Sequence, residues 1–130
     1  MKAKIAPAMI EDEFRDAKYD LGKAKHSYEE ADYKWATVQT YYSIFHLARA
    51  LLYSEGYREK SHYALLVAIK EMFVKTGIIE AKYTDNFVDA MRLRQEADYR
   101  SEYSEGGAAE TIENAEAMFD IVRGLLKRKY

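Results

Sequence analysis

After Pro7 the chain contains no further proline. Proline breaks helix interiors and pre-sets turns, and glycine weakens helices wherever it sits inside them. A chain of 130 residues with one proline and six glycines therefore has little to interrupt long helices. A many-turned β fold would need far more punctuation. The length suits one domain around one core, so residues 1–130 are expected to form a single all-α domain. Its architecture is expected to be an up-and-down bundle of four or five helices.

Apolar spacing places those helices. Ile10, Phe14, Ala17, Leu21 and Ala24 recur every three or four residues and predict a first helix from about Met9 to His26. Glu11, Asp12 and Glu13 are expected in its first turn, and Lys23 and Lys25 in its last, as the helix dipole favours. Ser27 followed by Glu30 reads as a capping box. The second helix is expected to stop near Gly56. It carries one stripe of Trp35, Val38, Tyr42, Phe45 and Leu52 and an adjacent one of Tyr41, Ile44, Ala48 and Leu51. So wide an apolar arc belongs at the centre of a bundle or against a partner subunit. Ser61 is expected to cap a third helix ending at Gly77, with Leu65, Leu66, Ile69, Met72 and Phe73 buried. A fourth helix covers roughly Glu80 to Tyr99 on the stripe Tyr83, Phe87 and Met91. Ser104 to Gly107 reads as a chain break, and Ile112, Ala115, Phe119, Val122 and Leu126 mark the last helix.

Several chemistries are excluded. There is no cysteine, so disulfides, thiolate metal sites and thiol nucleophiles are out. A net charge of −2 with interspersed signs argues against a nucleic-acid coat. The run Lys127, Arg128, Lys129 is a local basic patch or a complement to a helix C-terminus. No stretch approaches the roughly 18 uninterrupted apolar residues of a membrane span, and the acidic N-terminal segment does not resemble a signal peptide. A cytoplasmic protein is expected. His26, His46 and His62 lack the spacing of a helical metal site, and no metal or cofactor is expected. His46 reads as a hydrogen-bonded core or interface residue, and His62 as a partly exposed first-turn residue. No nucleophile elbow or phosphate loop is present, and Gly106–Gly107 reads as a turn.

Two arginines stand out. Arg49 falls on an apolar stripe, where a charge must be paired, lie near a cleft or snorkel outward. Arg94 and Asp98 fall below Phe87 and Met91 on the core stripe of the fourth helix. That pair is either a fork offered to phosphate or a structural bridge. Arg92, Glu96 and Arg100 lie near the opposite face, at the spacing of ordinary surface pairs.

The run YYSIFHLARALLYSEGYREKSHYALLVAIKEMFVKTG and the later RQEADY resemble the HEPN superfamily, in its small stand-alone prokaryotic branch. The resemblance covers about residues 9–126. It implies a helical bundle that forms a homodimer with a cleft at the interface. Active members are metal-independent RNases with an arginine followed, four to six residues on, by a histidine. Others are toxins encoded beside a small nucleotidyltransferase antitoxin, and others are nucleotide-binding or scaffold modules. Arg94 matches the family arginine, but the spacing lands on Tyr99, Arg100 or Ser101, and no histidine follows His62. An unperturbed tyrosine, with a pKa of about 10, is a poor general base near neutral pH. On an ideal helix Tyr99 also points about 140° away from Arg94, so the two converge only where the helix ends or across a dimer. The expected function is accordingly a nucleotide- or RNA-binding module related to toxin–antitoxin systems, with little or no RNase activity. Arg94, Asp98, Tyr99 and Arg49 are its candidate binding residues. The alternatives are an active endoribonuclease using Arg94 with Tyr99, or with His46 or His62, and a purely structural interaction dimer.

Overall fold

The computed structural model describes residues 2–129. Five helices make up most of it: α1 Pro7–Glu29, α2 Tyr33–Ser54, α3 His62–Ile69, α4 Ala81–Tyr99 and α5 Glu105–Lys129. The wide turn Lys70–Val74 extends α3.

α2 is the axis of the bundle. Fifteen of its 22 residues are buried, and each of the other four helices packs against it. Small side chains let α1 approach it closely. Ala17 and Ala24 of α1 are fully buried, and Ser43 Oγ donates to the Ala17 carbonyl at 2.7 Å. On the other flank Leu65, Ile69, Phe73 and Phe87 complete the core. Full burial of each such side chain contributes about 1.5–3 kcal/mol.

α5 bridges α1 to α4, and α4 meets α3, but α1 and α3 do not touch among the described residues. The ring of helices around α2 is therefore open on one side. Along that opening run Trp35, Gln39, Tyr42, His46 and Arg49, all half-buried or exposed, at alternating spacings of four and three. Trp35, on the stripe expected either at the bundle centre or against a partner subunit, is 47% exposed, so the bundle itself does not cover it. An apolar arc marks which face of a helix can be buried, not how far along it neighbours reach.

The chain terminators act largely as expected. Gly56 and Gly77 adopt φ of 81° and 79°, the left-handed region that stops a helix at low cost in glycine. Ser61 Oγ accepts the Ala64 N–H at 3.0 Å. Three local expectations fail. α1 begins at Pro7 and reaches Glu29, so Glu11 to Glu13 lie beyond its first turn and His26, rather than Lys23 or Lys25, occupies its last. Ser27 is inside α1 and hydrogen-bonds the Gln39 side chain at 2.8 Å, while Asp32 caps α2 through the Trp35 N–H. Gly106 and Gly107 are helical, because Ser104 Oγ accepts the Gly107 N–H and so starts α5 ahead of them. The break falls earlier, at Arg100 to Ser104, so only Ser104 of the expected stretch lies in it, and Ser101 takes a φ of 53°.

Candidate functional site

α4 delivers Arg94 to the margin of the core, two turns beyond the buried Phe87. Its side chain is 18% exposed. The guanidinium lies 5.5 Å from the ring centres of Tyr41 and Tyr42 and 5.6 Å from that of Tyr99. Three electron-rich faces thus hold one cation. Nη2 donates to Tyr42 Oη at 2.8 Å. Asp98 is looser: its nearest oxygen stands 3.8 Å from Nη2, beyond hydrogen-bond length. Nε is buried without a partner. The cation is held in place by rings while much of its donor fork stays unused.

Tyr99 and Arg94 do converge, because α4 ends at Tyr99. The Tyr99 ring is otherwise exposed. Arg92 and Glu96 form the expected surface pair at 3.0 Å. With Gln95, Tyr99 and Arg100 they border a shallow hollow of about 540 Å³ on the outer side of α4.

Sequence spacing missed what stands behind Arg94. His62, from the start of α3, packs at a tilt against Phe45 at 4.3 Å between ring centres and shares a hydrogen bond between its Nδ1 and Tyr41 Oη. Burial pushes the Tyr41 hydroxyl up to about 12, against the pull of Arg94. Burial, then the Arg94 and Arg49 cations, hold the His62 imidazole below its ordinary value, with Glu59 opposing. His62 is therefore neutral at pH 7. Its sequence signals were the cap at Ser61, which fixes where the first residue of α3 sits, and its place in the run that resembles the family, which offered it beside His46 as an alternative partner of Arg94.

Arg49 occupies the other end of the opening. Its Nη1 lies 3.3 Å from Glu13 and its Nε 2.7 Å from Glu59, although the second approach is off the N–H direction. Phe45 and Tyr53 flank its guanidinium. Glu59 is 6% exposed and one of its oxygens has no partner. His46 Nδ1 meets Glu13 at 2.5 Å, and its Nε2 lies 3.6 Å from Asp20. Burial raises the Asp20 carboxyl, with His46 opposing. His46 is thus the hydrogen-bonded residue anticipated, and Arg49 and His46 tie α1 to α2 and to the segment before α3. His26 is exposed and joins neither group. Among the described residues no set of three or more His, Asp or Glu is arranged to hold a metal ion.

The HEPN domain model matches residues 10–128. A Methanocaldococcus jannaschii protein provisionally named a toxin is 33% identical over 112 residues, covering 85% of this chain and 84% of its own. A Thermus thermophilus crystal structure superposes with a TM-score of 0.75 at 17% identity, covering 93% of this chain and 98% of that one. The crystal structure of an archaeal HEPN homologue gives 0.64 at 19% identity, over 96% and 98% of the two chains. At such identities the two structures speak for the fold.

Proposed function

The chain belongs to the HEPN family, and from that premise we propose that it is a toxin-related module that binds RNA or a nucleotide by phosphate at Arg94. The observation that carries this reading is a partly exposed guanidinium fixed by three tyrosine rings, with Asp98 held off at 3.8 Å. An arginine whose only close bond is to a neutral hydroxyl keeps its charge and most of its donors for an incoming anion. Tyr99, exposed beside it, supplies a ring on which a base can stack.

In this reading residues 1–130 act as one domain in a cytoplasmic homodimer. The open side of the ring, along Tyr42, His46 and Arg49, faces the second copy. A small nucleotidyltransferase is the partner antitoxin, in keeping with a relative provisionally named a toxin. RNA cleavage is weak or absent, because α4 carries no histidine after Arg94.

One observation favours a second reading, a metal-independent endoribonuclease. His62 is neutral and linked through Tyr41 to the Arg94 site. With its Nδ1–H donated to Tyr41 Oη, its Nε2 would be free to accept a proton.

The experiment incubates the purified protein with single-stranded RNA in EDTA. Binding without cleavage, weakened at least ~10-fold by Arg94→Ala, supports the first reading. Cleavage lost in both Arg94→Ala and His62→Gln selects the second. No binding of RNA or nucleotides by wild type or variant leaves a protein-interaction dimer.

A further inference from the structure

On the other flank of α1, away from the open side, residues of α1 and α5 line a groove of about 640 Å³. Its floor is apolar: Ile10 and Phe14 from α1 and Leu126 from α5. Its walls are cationic. Arg15 and Lys18 rise on one side, and Arg123 and Lys127 on the other, against the single carboxylate of Glu11. This is a concentration of positive charge on a chain whose net charge is −2. Arg15 and Arg123 are each engaged by an aspartate one turn away, Asp12 at 2.6 Å and Asp120 at 3.0 Å. Among the described residues no carboxylate pairs with Lys18 or Lys127, whereas Lys25 further along α1 does have one. Beyond Lys18 a narrower hollow of about 320 Å³ continues along the same two helices, bordered by the Lys25–Glu116 ion pair at 2.9 Å.

We propose that this groove docks an acidic amphipathic helix of a protein partner, apolar side chains seated on Phe14 and Leu126 and carboxylates on Lys18 and Lys127. The geometry favours a rod over other occupants. The main groove spans Pro7 to Lys18, about 16 Å at the helical rise, or three turns. Its cations stand on both walls, so an occupant must carry charge along two edges, as an amphipathic helix does. A fatty acid has one carboxylate, whereas the groove offers two lysines on different helices beyond the two aspartate-paired arginines. The site is separate from Arg94, so either can fail without the other.

The probe is a fluorescein-labelled synthetic helix of about 14 residues, leucines at helical spacing and glutamates elsewhere, compared with its Glu-to-Lys counterpart. Anisotropy is expected to show the acidic peptide binding at least ~10-fold more tightly, and less so as salt rises. Lys18→Glu with Lys127→Glu should cost ~10-fold or more, the milder Lys18→Gln with Lys127→Gln a smaller part of it, and Arg94→Ala nothing. Circular dichroism checks that the variants stay folded. Equal affinity for the two peptides, no binding up to millimolar concentration, or indifference to both lysine pairs overturns the proposal. So does co-sedimentation with phosphatidylserine vesicles that the Glu pair abolishes, which assigns the groove to a lipid surface. Loss of self-association in the Glu pair overturns it in favour of a second copy of this chain.

Discussion

Arg94 of α4 donates to Tyr42 of α2 across 52 positions of sequence, at 2.8 Å and beneath the Tyr42 ring's own cation contact. One tyrosine thus fixes the cation twice, by its hydroxyl and by its face. The two contributions are separable.

Tyr42→Phe keeps the face and removes the acceptor. It is expected to cost about 1 kcal/mol of stability in urea unfolding. It frees a donor on Arg94, so phosphate affinity should not fall. Arg94→Lys keeps the charge and loses the fork, and should weaken RNA or nucleotide binding ~10-fold while leaving the fold intact.

Arg49 is the neutralising partner of a nearly buried Glu59. Arg49→Met should destabilise by about 3 kcal/mol, mostly through the stranded carboxylate. Adding Glu59→Gln should recover at least half of that. A double-mutant cycle by chemical denaturation measures the coupling, and additive losses would contradict it.

The depressed imidazole of His62 sets a pH dependence with a definite sign. The folded protein binds fewer protons there than the unfolded chain, from the ordinary value of 6.5 downward to the lowered one. Stability is therefore level above that window and falls as pH drops through it. His62→Gln should flatten the slope that opens as pH falls below 6.5. Asp20 has the opposite sign: burial raises it, so its contribution declines as pH rises from 3.8 toward the raised value. Unfolding free energies measured across the acid range in His62→Gln and in Asp20→Asn separate them.

Ser101 holds a φ of 53° in the turn between α4 and α5, a conformation that costs a residue with a side chain about 1–2 kcal/mol. Ser101→Gly removes that strain and pays part of it back in unfolded-state entropy. A net gain of about 0.5–1 kcal/mol is expected, seen as a rise of a few degrees in Tm. An unchanged or lower Tm would sink the strain argument.

The bundle was legible because its signals are local. Ser61, Gly56 and Gly77 act within one turn, and the stripes of α4 and α5 repeat at helical spacing. Arg94 was legible for the same reason, as a charge standing where the stripe of Tyr83 and Phe87 predicts an apolar residue. Its surroundings were not. Tyr42 lies 52 positions away, and the Tyr41–His62 bond joins residues 21 apart, so neither leaves a periodic trace. Gly106 and Gly107 misled because a serine cap outweighs the modest propensity cost of glycine at the first turn. Ser27 misled for the reverse reason. Its capping pattern is genuine as a pattern, but α1 runs through it and Asp32 takes the role.

The opening in the ring around α2 gives neighbouring positions on one helix opposite fates. Tyr41 is 1% exposed and Tyr42 faces the gap, though they adjoin in sequence. Under random substitution α2 should show a banded tolerance map. Tyr41, Ile44, Leu47 and Ala48 would reject nearly every replacement, and Gln39, Tyr42 and His46 would accept only those that keep a polar contact to Ser27, Arg94 or Glu13, while the exposed Trp35 would accept many. Surface identity along this stripe would then drift most at its N-terminal end, where the backbone is held by the buried face and the side chain answers to nothing within the bundle.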